Sequence, residues 1–236
     1  MTAKMNYKYK RNSSAFDVLT PESAYWIGFL YGDGSCTQMS RIQLTLAQRD
    51  EEALIGFRDF IQCIEKPIKH FVNNCGHPAC SFEIKDWGMI KALAKYSLNK
   101  RKDQRGLIHI SLLQPDVVRD FIRGLFDADG TFYYDGLHKN NLFAEITGYK
   151  PAMKSVKAIL THYHVINEQK NLTRNGSIWR IRFPKDACIR LIKFLYEGKP
   201  RYYLKRKHGI AKSYLDRLNE TQEATVENVL KTRFSI

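Results

Sequence analysis

The chain has 236 residues, 44% hydrophobic and 26% charged, with 14 glycines and 7 prolines, which gives it room for one or two real cores and excludes a fibrous or disordered chain. Its 38 Lys and Arg outnumber 24 Asp and Glu for a net charge of +14, and with 13 Tyr, 13 Phe and 3 Trp that surplus points to a polyanion such as nucleic acid. No run is long and apolar enough to span a membrane, and the basic start MTAKMNYKYKRNSS has no apolar stretch behind it, so a soluble intracellular protein without a signal peptide is expected.

In chain order, Thr20 is placed to cap a helix that opens on Pro21, runs through Tyr31 and stops at Gly34. Strands are predicted at about 35–38 and 41–47, where RIQLTLA alternates. Leu54, Ile55, Phe57, Ile61 and Ile64 then recur at helical spacing over 51–64, IKHFV and SFEIK read as a hairpin, and DWGMIKALAKY as a helix. The hairpin loop NNCGHPAC carries Cys75, His77 and Cys80 near His70, but without the paired spacing of a zinc site. Five cysteines, an odd number unevenly spread, make no disulfide framework.

After a linker, Ser111 to Gln114, a second helix opens on Pro115 and covers DVVRDFIRGLFDA. Strands at about 131–135 and 141–147, a helix over 151–162, strands near 165–171 and 177–183 and a helix over 185–196 follow. Both halves therefore read αββαββα, an α+β fold of two pseudo-repeats: 1–110, the linker 111–114, 115–212, and a polar loose tail or accessory helix over 213–236.

The repeat is written in one motif. AYWIGFLYGDGS and DFIRGLFDADGT align so that Gly28 and Gly124, Asp33 and Asp129, and Gly34 and Gly130 are each 96 residues apart. Gly28 with Gly32, and Gly124 with Ala128, form side-chain-poor stripes on which two helices can pack closely. About a pseudo-twofold axis, such packing brings Asp33 and Asp129 together at two helix C-termini, where negative charge is already concentrated. A divalent cation held by oxygen ligands, as Mg²⁺ is, would relieve that repulsion.

These two segments, Trp26 to Gly34 and Ile122 to Gly130, resemble the paired signature helices of the LAGLIDADG homing endonucleases, a likeness that extends over about residues 16–212. The resemblance implies a monomer whose two saddle-shaped antiparallel sheets lie in the DNA major groove and which cleaves both strands of a long asymmetric site. Mg²⁺, or another divalent cation such as Mn²⁺, would be held by Asp33 and Asp129 with their neighbours Gly32 and Ala128. It also implies that Gln48 orders water in one pocket, where the second copy offers Gly148, and that Lys102 and Lys207 polarise the attacking water or stabilise phosphorane charge. Tyr31 departs from the acid usual at that signature position.

Strand parity gives a polar face for DNA. With Ile42, Leu44 and Leu46 buried, Arg41, Gln43 and Thr45 project. The same parity projects Ser81, Glu83 and Lys85, then Asn141, Glu145 and Thr147, and finally Arg180 and Arg182 opposite Trp179 and Ile181. Arg, Gln, Asn and Glu are side chains that read base edges. A DNA-binding regulator that does not cut, and an intron maturase that binds RNA, are the alternatives on this scaffold. Paired aspartates beside phosphate argue against the pure binder. The chain shows no terminal Cys or Ser start with a His-Asn end, so a self-splicing host is not expected.

Overall fold

A computed structural model of the protein describes residues 8–37, 41–105, 115–134 and 141–234. The first repeat comprises α1 (Pro21–Gly32), β1 (Gly34–Thr37), β2 (Arg41–Ala47), α2 (Glu51–Phe60), β3 (Lys69–Val72), β4 (Pro78–Lys85) and α3 (Trp87–Ala94). The second comprises α4 (Pro115–Asp129), β5 (Gly130–Tyr134), β6 (Leu142–Gly148), α5 (Lys150–His162), β7 (Thr173–Asn175), β8 (Ile178–Phe183) and α6 (Asp186–Tyr196), followed by α7 (Lys205–Phe234). Each repeat folds its strands into an antiparallel sheet, ordered β1-β2-β4-β3 and β5-β6-β8-β7. The fold is α+β with two αββαββα repeats.

The local signals act as the chemistry requires. Thr20 Oγ1 accepts from the Ser23 amide at 3.2 Å and Ser23 Oγ accepts from the Thr20 amide at 2.8 Å, a reciprocal cap ahead of Pro21. Asp86 caps α3 by accepting from the Met89 amide at 2.9 Å. The hairpin loop is closed by Asn73 Oδ1, which accepts from the amides of Cys75 and His77 at 2.9 Å each, with Gly76 at φ +79°. All five cysteines are unpaired. His70 is spent on Glu51 at 2.9 Å, Cys80 is buried, and no group of three or more His, Cys, Asp or Glu placed to hold a metal occurs among the described residues.

Two expectations are corrected. α2 stops at Phe60 because Gln62 turns to φ +55° and the Cys63 amide closes back on the Arg58 carbonyl, leaving Ile64 65% exposed. Val165 and Ile166 do not begin a strand. His164, at φ +56°, ends α5, and both following amides return to the Leu160 carbonyl so that the apolar pair is buried as a cap, with β7 deferred to Thr173. Of the two readings of the residues after Tyr214, a loose tail or an accessory helix, the structure has the helix: α7 begins at Lys205 and carries on through them to Phe234. The linker Ser111 to Gln114 lies outside the described residues.

Helices α1 and α4 make the centre of the molecule. Every residue of α1 from Ser23 to Gly32 is buried, because this helix backs onto its own sheet and onto α4 at once. A methyl added to Gly28 would overlap the Phe121 carbonyl, and one added to Gly124 would overlap the Tyr25 carbonyl. Tyr25 and Phe121 are themselves 96 residues apart, so the contact is one interaction repeated about the pseudo-twofold axis. No helix among the described residues is long and apolar enough to cross a membrane.

Candidate active site and nucleic-acid face

The glycine-striped packing delivers Asp33, the residue that ends α1, and Asp129, the last residue of α4, to the same place. A Cβ on Gly32 would collide with the methyl of Ala128 and stand 3.0 Å from Asp129 Oδ2, so the Asp129 carboxylate leans across the end of the opposite helix. Burial and the neighbouring Asp129 charge push the Asp33 carboxyl up to about 6, with Lys102 and Lys207 opposing them. Burial also raises Asp129, against the charges of Lys102, Lys207 and Arg105. No described residue donates a hydrogen bond to either carboxylate. Two partly buried acids without donors, repelling each other, fit a hard divalent cation that completes its shell with water and phosphate oxygens.

Lys207 stands differently from the expectation. Its Nζ donates to the carbonyls of Phe126, Asp127 and Gly130 at 2.7, 2.6 and 2.6 Å, which uses all three of its donors on the turn that carries Asp129 and leaves none for an attacking water. Its charge remains beside the acids, and burial pulls it down to about 8. Lys102 is exposed, starts the short turn 102–104, and presents an ammonium with no side-chain partner among the described residues. It lines a cavity of about 250 Å³ with Tyr31, Asp129, Thr147, Gly148 and Met153.

Gly148 is not the counterpart of Gln48. Gly34 pairs with Leu44 and Gly130 with Ile146, so beyond the first hairpin the repeats are 102 residues apart rather than 96. Leu46 therefore matches Gly148, on the core side, where an added Cβ would stand 3.1 Å from Met153 Sδ. Gln48 matches Lys150, whose Nζ lies 4.6 Å from the Trp179 ring centroid. Gln48 itself is exposed and opens the turn 48–50. That turn is clamped by Asp50, which takes Arg206 Nε and Nη2 at 3.0 and 2.9 Å, and by Glu52, which accepts from the Lys205 amide at 2.8 Å.

Residues missed by sequence reasoning sit behind the acids. Buried Asp127 accepts from Tyr25 Oη and from the Leu204 amide, both at 2.9 Å, and burial raises it to about 6. Its place in the motif, two before Asp129, was the only signal. Arg105, discussed below, had none.

The sheets present most of the expected polar face. Arg41, Gln43 and Thr45 alternate with buried Ile42, Leu44 and Leu46, and Arg41 Nε lies 3.5 Å from Glu83. Glu145 lies 2.9 Å from Arg182 and 3.7 Å from Arg180, and Lys85 is exposed. Asn141 lies just ahead of β6. Two residues depart. Ser81 has the right parity but is 9% exposed, its short side chain sunk between Thr45 and Lys69 on the flanking strands. Thr147 turns its hydroxyl to the Asp129 carbonyl at 3.2 Å and so belongs to the acid-bearing turn rather than to a base-reading set.

No family model matches the chain. Among curated proteins, the replication factor C small subunit of Methanocaldococcus jannaschii is 23% identical over 158 residues, 66% of this chain, which spans 8% of that protein's length. Solved structures match over nearly the whole chain. The LAGLIDADG meganuclease I-AabMI bound to uncleaved DNA superposes with a TM-score of 0.56 at 16% identity, covering 91% of this chain and 97% of that one. I-CpaMI bound to uncleaved DNA gives 0.58 at 13% identity, with 91% and 97% covered. The LAGLIDADG homing endonuclease I-SmaMI bound to cleaved DNA gives 0.57 at 14% identity, with 92% and 95% covered. Two glycine-packed helices that bring paired aspartates between two antiparallel sheets define a LAGLIDADG-type fold. This chain has that fold in its two-motif, single-chain form.

Proposed function

We propose that the chain is a sequence-specific, divalent-metal-dependent DNA endonuclease that hydrolyses one phosphodiester bond in each strand of a long asymmetric duplex site, and that it works as a monomer in intron homing. The observation that carries this reading is the pair Asp33 and Asp129, two carboxylates that receive no hydrogen bond from the described residues and are forced together at the ends of adjacent helices.

Asp33 and Asp129 would hold Mg²⁺ or Mn²⁺, whose chemistry there is to lower the pKa of water and neutralise charge on phosphate oxygens. The chain's own part is positional. Close helix packing fixes the separation of the acids, while Lys207 and Thr147 hold the turn that carries Asp129. Lys102, exposed at the edge of the site, would offer its ammonium to the phosphate as negative charge builds. Arg180, Arg182, Lys85 and Arg41 on the sheets meet backbone and base edges, as the net charge of +14 favours.

The test is to incubate the protein with a randomised duplex DNA library and Mg²⁺ and to sequence the cut ends. Double-strand breaks at one long site, lost in Asp33→Asn, are expected. Tight DNA binding without any product under Mg²⁺ or Mn²⁺ would favour a regulator, and preference for structured RNA a maturase.

A further inference from the structure

The pseudo-twofold relation between the signature helices extends to a pair of cations. Arg105 Nη1 donates to the carbonyls of Leu30, at 3.2 Å, and Tyr31, while Nη2 donates to the Gly34 carbonyl at 3.0 Å. Lys207 donates to Phe126, Asp127 and Gly130. Leu30 and Phe126, Tyr31 and Asp127, and Gly34 and Gly130 are each 96 residues apart, so both cations satisfy the same carbonyls, and in each repeat those carbonyls bracket the acid.

The last carbonyls of a helix have no partner within it, and a buried helix end needs donors from elsewhere. Here the donors come from chain lying far along the sequence from each signature helix. Arg105 is 2% exposed and Lys207 4%, so neither is a surface cation that happens to reach inward. Arg105 is tied further by Nε to the Lys100 carbonyl at 3.3 Å and by its guanidinium 5.5 Å from the Tyr31 ring centroid. Its planar fork holds the three carbonyls through Nη1 and Nη2 while Nε keeps a fourth, which exceeds the three donors of an ammonium.

We infer that Arg105 is a positioning residue for the Asp33 carboxylate, the first repeat's equivalent of Lys207, and that through the main chain of Leu30, Tyr31 and Gly34 it sets the geometry in which the acid pair takes up its divalent cation. Lys102, which the sequence puts forward for the first repeat, is left with a different task at the phosphate. This inference rests on the metal-dependent reading proposed above.

The experiment titrates Mn²⁺ into the metal-free full chain by calorimetry, for the wild type, Arg105→Met and Arg105→Lys, with thermal melting and DNA affinity measured in parallel. Arg105→Met is expected to weaken Mn²⁺ binding about tenfold or more, as loss of a group that orients a ligand does, with DNA affinity within about twofold of wild type. Arg105→Lys should fall between the two, since it keeps charge but loses the fork. If Arg105→Met does not fold, Arg105→Lys against the wild type carries the test, with about a threefold loss expected. Unchanged Mn²⁺ affinity in a folded variant, or loss of DNA affinity in parallel, would overturn the inference while leaving the nuclease reading standing. A wild type that binds no Mn²⁺ either alone or with duplex DNA present removes the metal reading, and this inference with it.

Discussion

Gly28 and Gly124 each lie against the main chain of the opposite signature helix, one under the Phe121 carbonyl and the other under that of Tyr25. No Cβ fits at either place without the helices parting, and parting the helices moves Asp33 away from Asp129. Gly28→Ala and Gly124→Ala are therefore expected to cost about 3 kcal/mol each, beyond any gain in helix propensity. Thermal melting checks this, and an unchanged melting temperature in either variant would contradict the packing.

Asp33→Asn and Asp129→Asn should each cripple cleavage and spare DNA binding, because each removes little docking surface but a charge that in the proposed reading holds the metal. The Asp33 change should also stabilise the metal-free protein. Burial and Asp129 raise the folded-state pKa of Asp33 from 3.8 to about 6, so the folded protein holds this proton more tightly than the unfolded chain. The resulting stability is present below the unfolded value and is lost as pH rises through about 6. At pH 7.5 the ionised acid is a penalty of roughly 1–3 kcal/mol that asparagine does not carry. Urea unfolding at pH 5 and 7.5 should show the gain mainly at the higher pH.

The same shift sets the acid limb of activity. Protons compete with metal for these carboxylates, so cleavage is expected to fall as pH drops through about 6. A rate profile at subsaturating metal that stays flat down to pH 5 would contradict a carboxylate at Asp33 shared between proton and metal.

Affinity for the DNA site should fall steeply with salt, as counterion release at many phosphates demands. A flat plot of log K against log salt would remove the sheets of Arg41 and Arg180 as the DNA face.

The two halves should cut their strands unequally. Gln48 is exposed at the start of its turn with no side-chain hydrogen bond among the described residues, whereas its counterpart Lys150 sits over Trp179. A nicked intermediate is expected in a time course on supercoiled plasmid, and Gln48→Ala should slow one strand more than the other. Indistinguishable strand rates in both proteins would show that this difference has no kinetic meaning.

What could be read in advance was whatever repeats locally. The motif at Gly28 to Gly34 recurs at Gly124 to Gly130, and the alternation of RIQLTLA and IWRIRF sets the sheet faces, so element order and the acid pair were legible. What could not be read depends on closure in space. The shift from 96 to 102 residues arises in a connection between β5 and β6 longer than that between β1 and β2, and it moves the partner of Gln48 from Gly148 to Lys150. Arg105 looks like a member of a surface basic run until the helix end it serves is seen, and Lys207, put forward for the pocket by resemblance, proves to spend its donors on the other helix end. Thr147 has the parity of a base-reading residue, and only its proximity to the Asp129 carbonyl withdraws it.

The short stretch from Leu204 to Lys207 bonds in turn to Asp127, Glu52, Asp50 and the carbonyls around Asp127. Two of those partners belong to the first repeat and the rest to the second. Halves of such proteins therefore do not trade as free modules. A chimaera that keeps this first repeat must import Lys205 and Arg206 with its new second one, or else recode Asp50 and Glu52. Otherwise two acids lose their partners beside the turn that bears Gln48. Recombination of halves is thus constrained by a seam at the start of α7 and not only by the packing of α1 on α4, and a library of hybrids should be enriched for survivors in which these four positions travelled together.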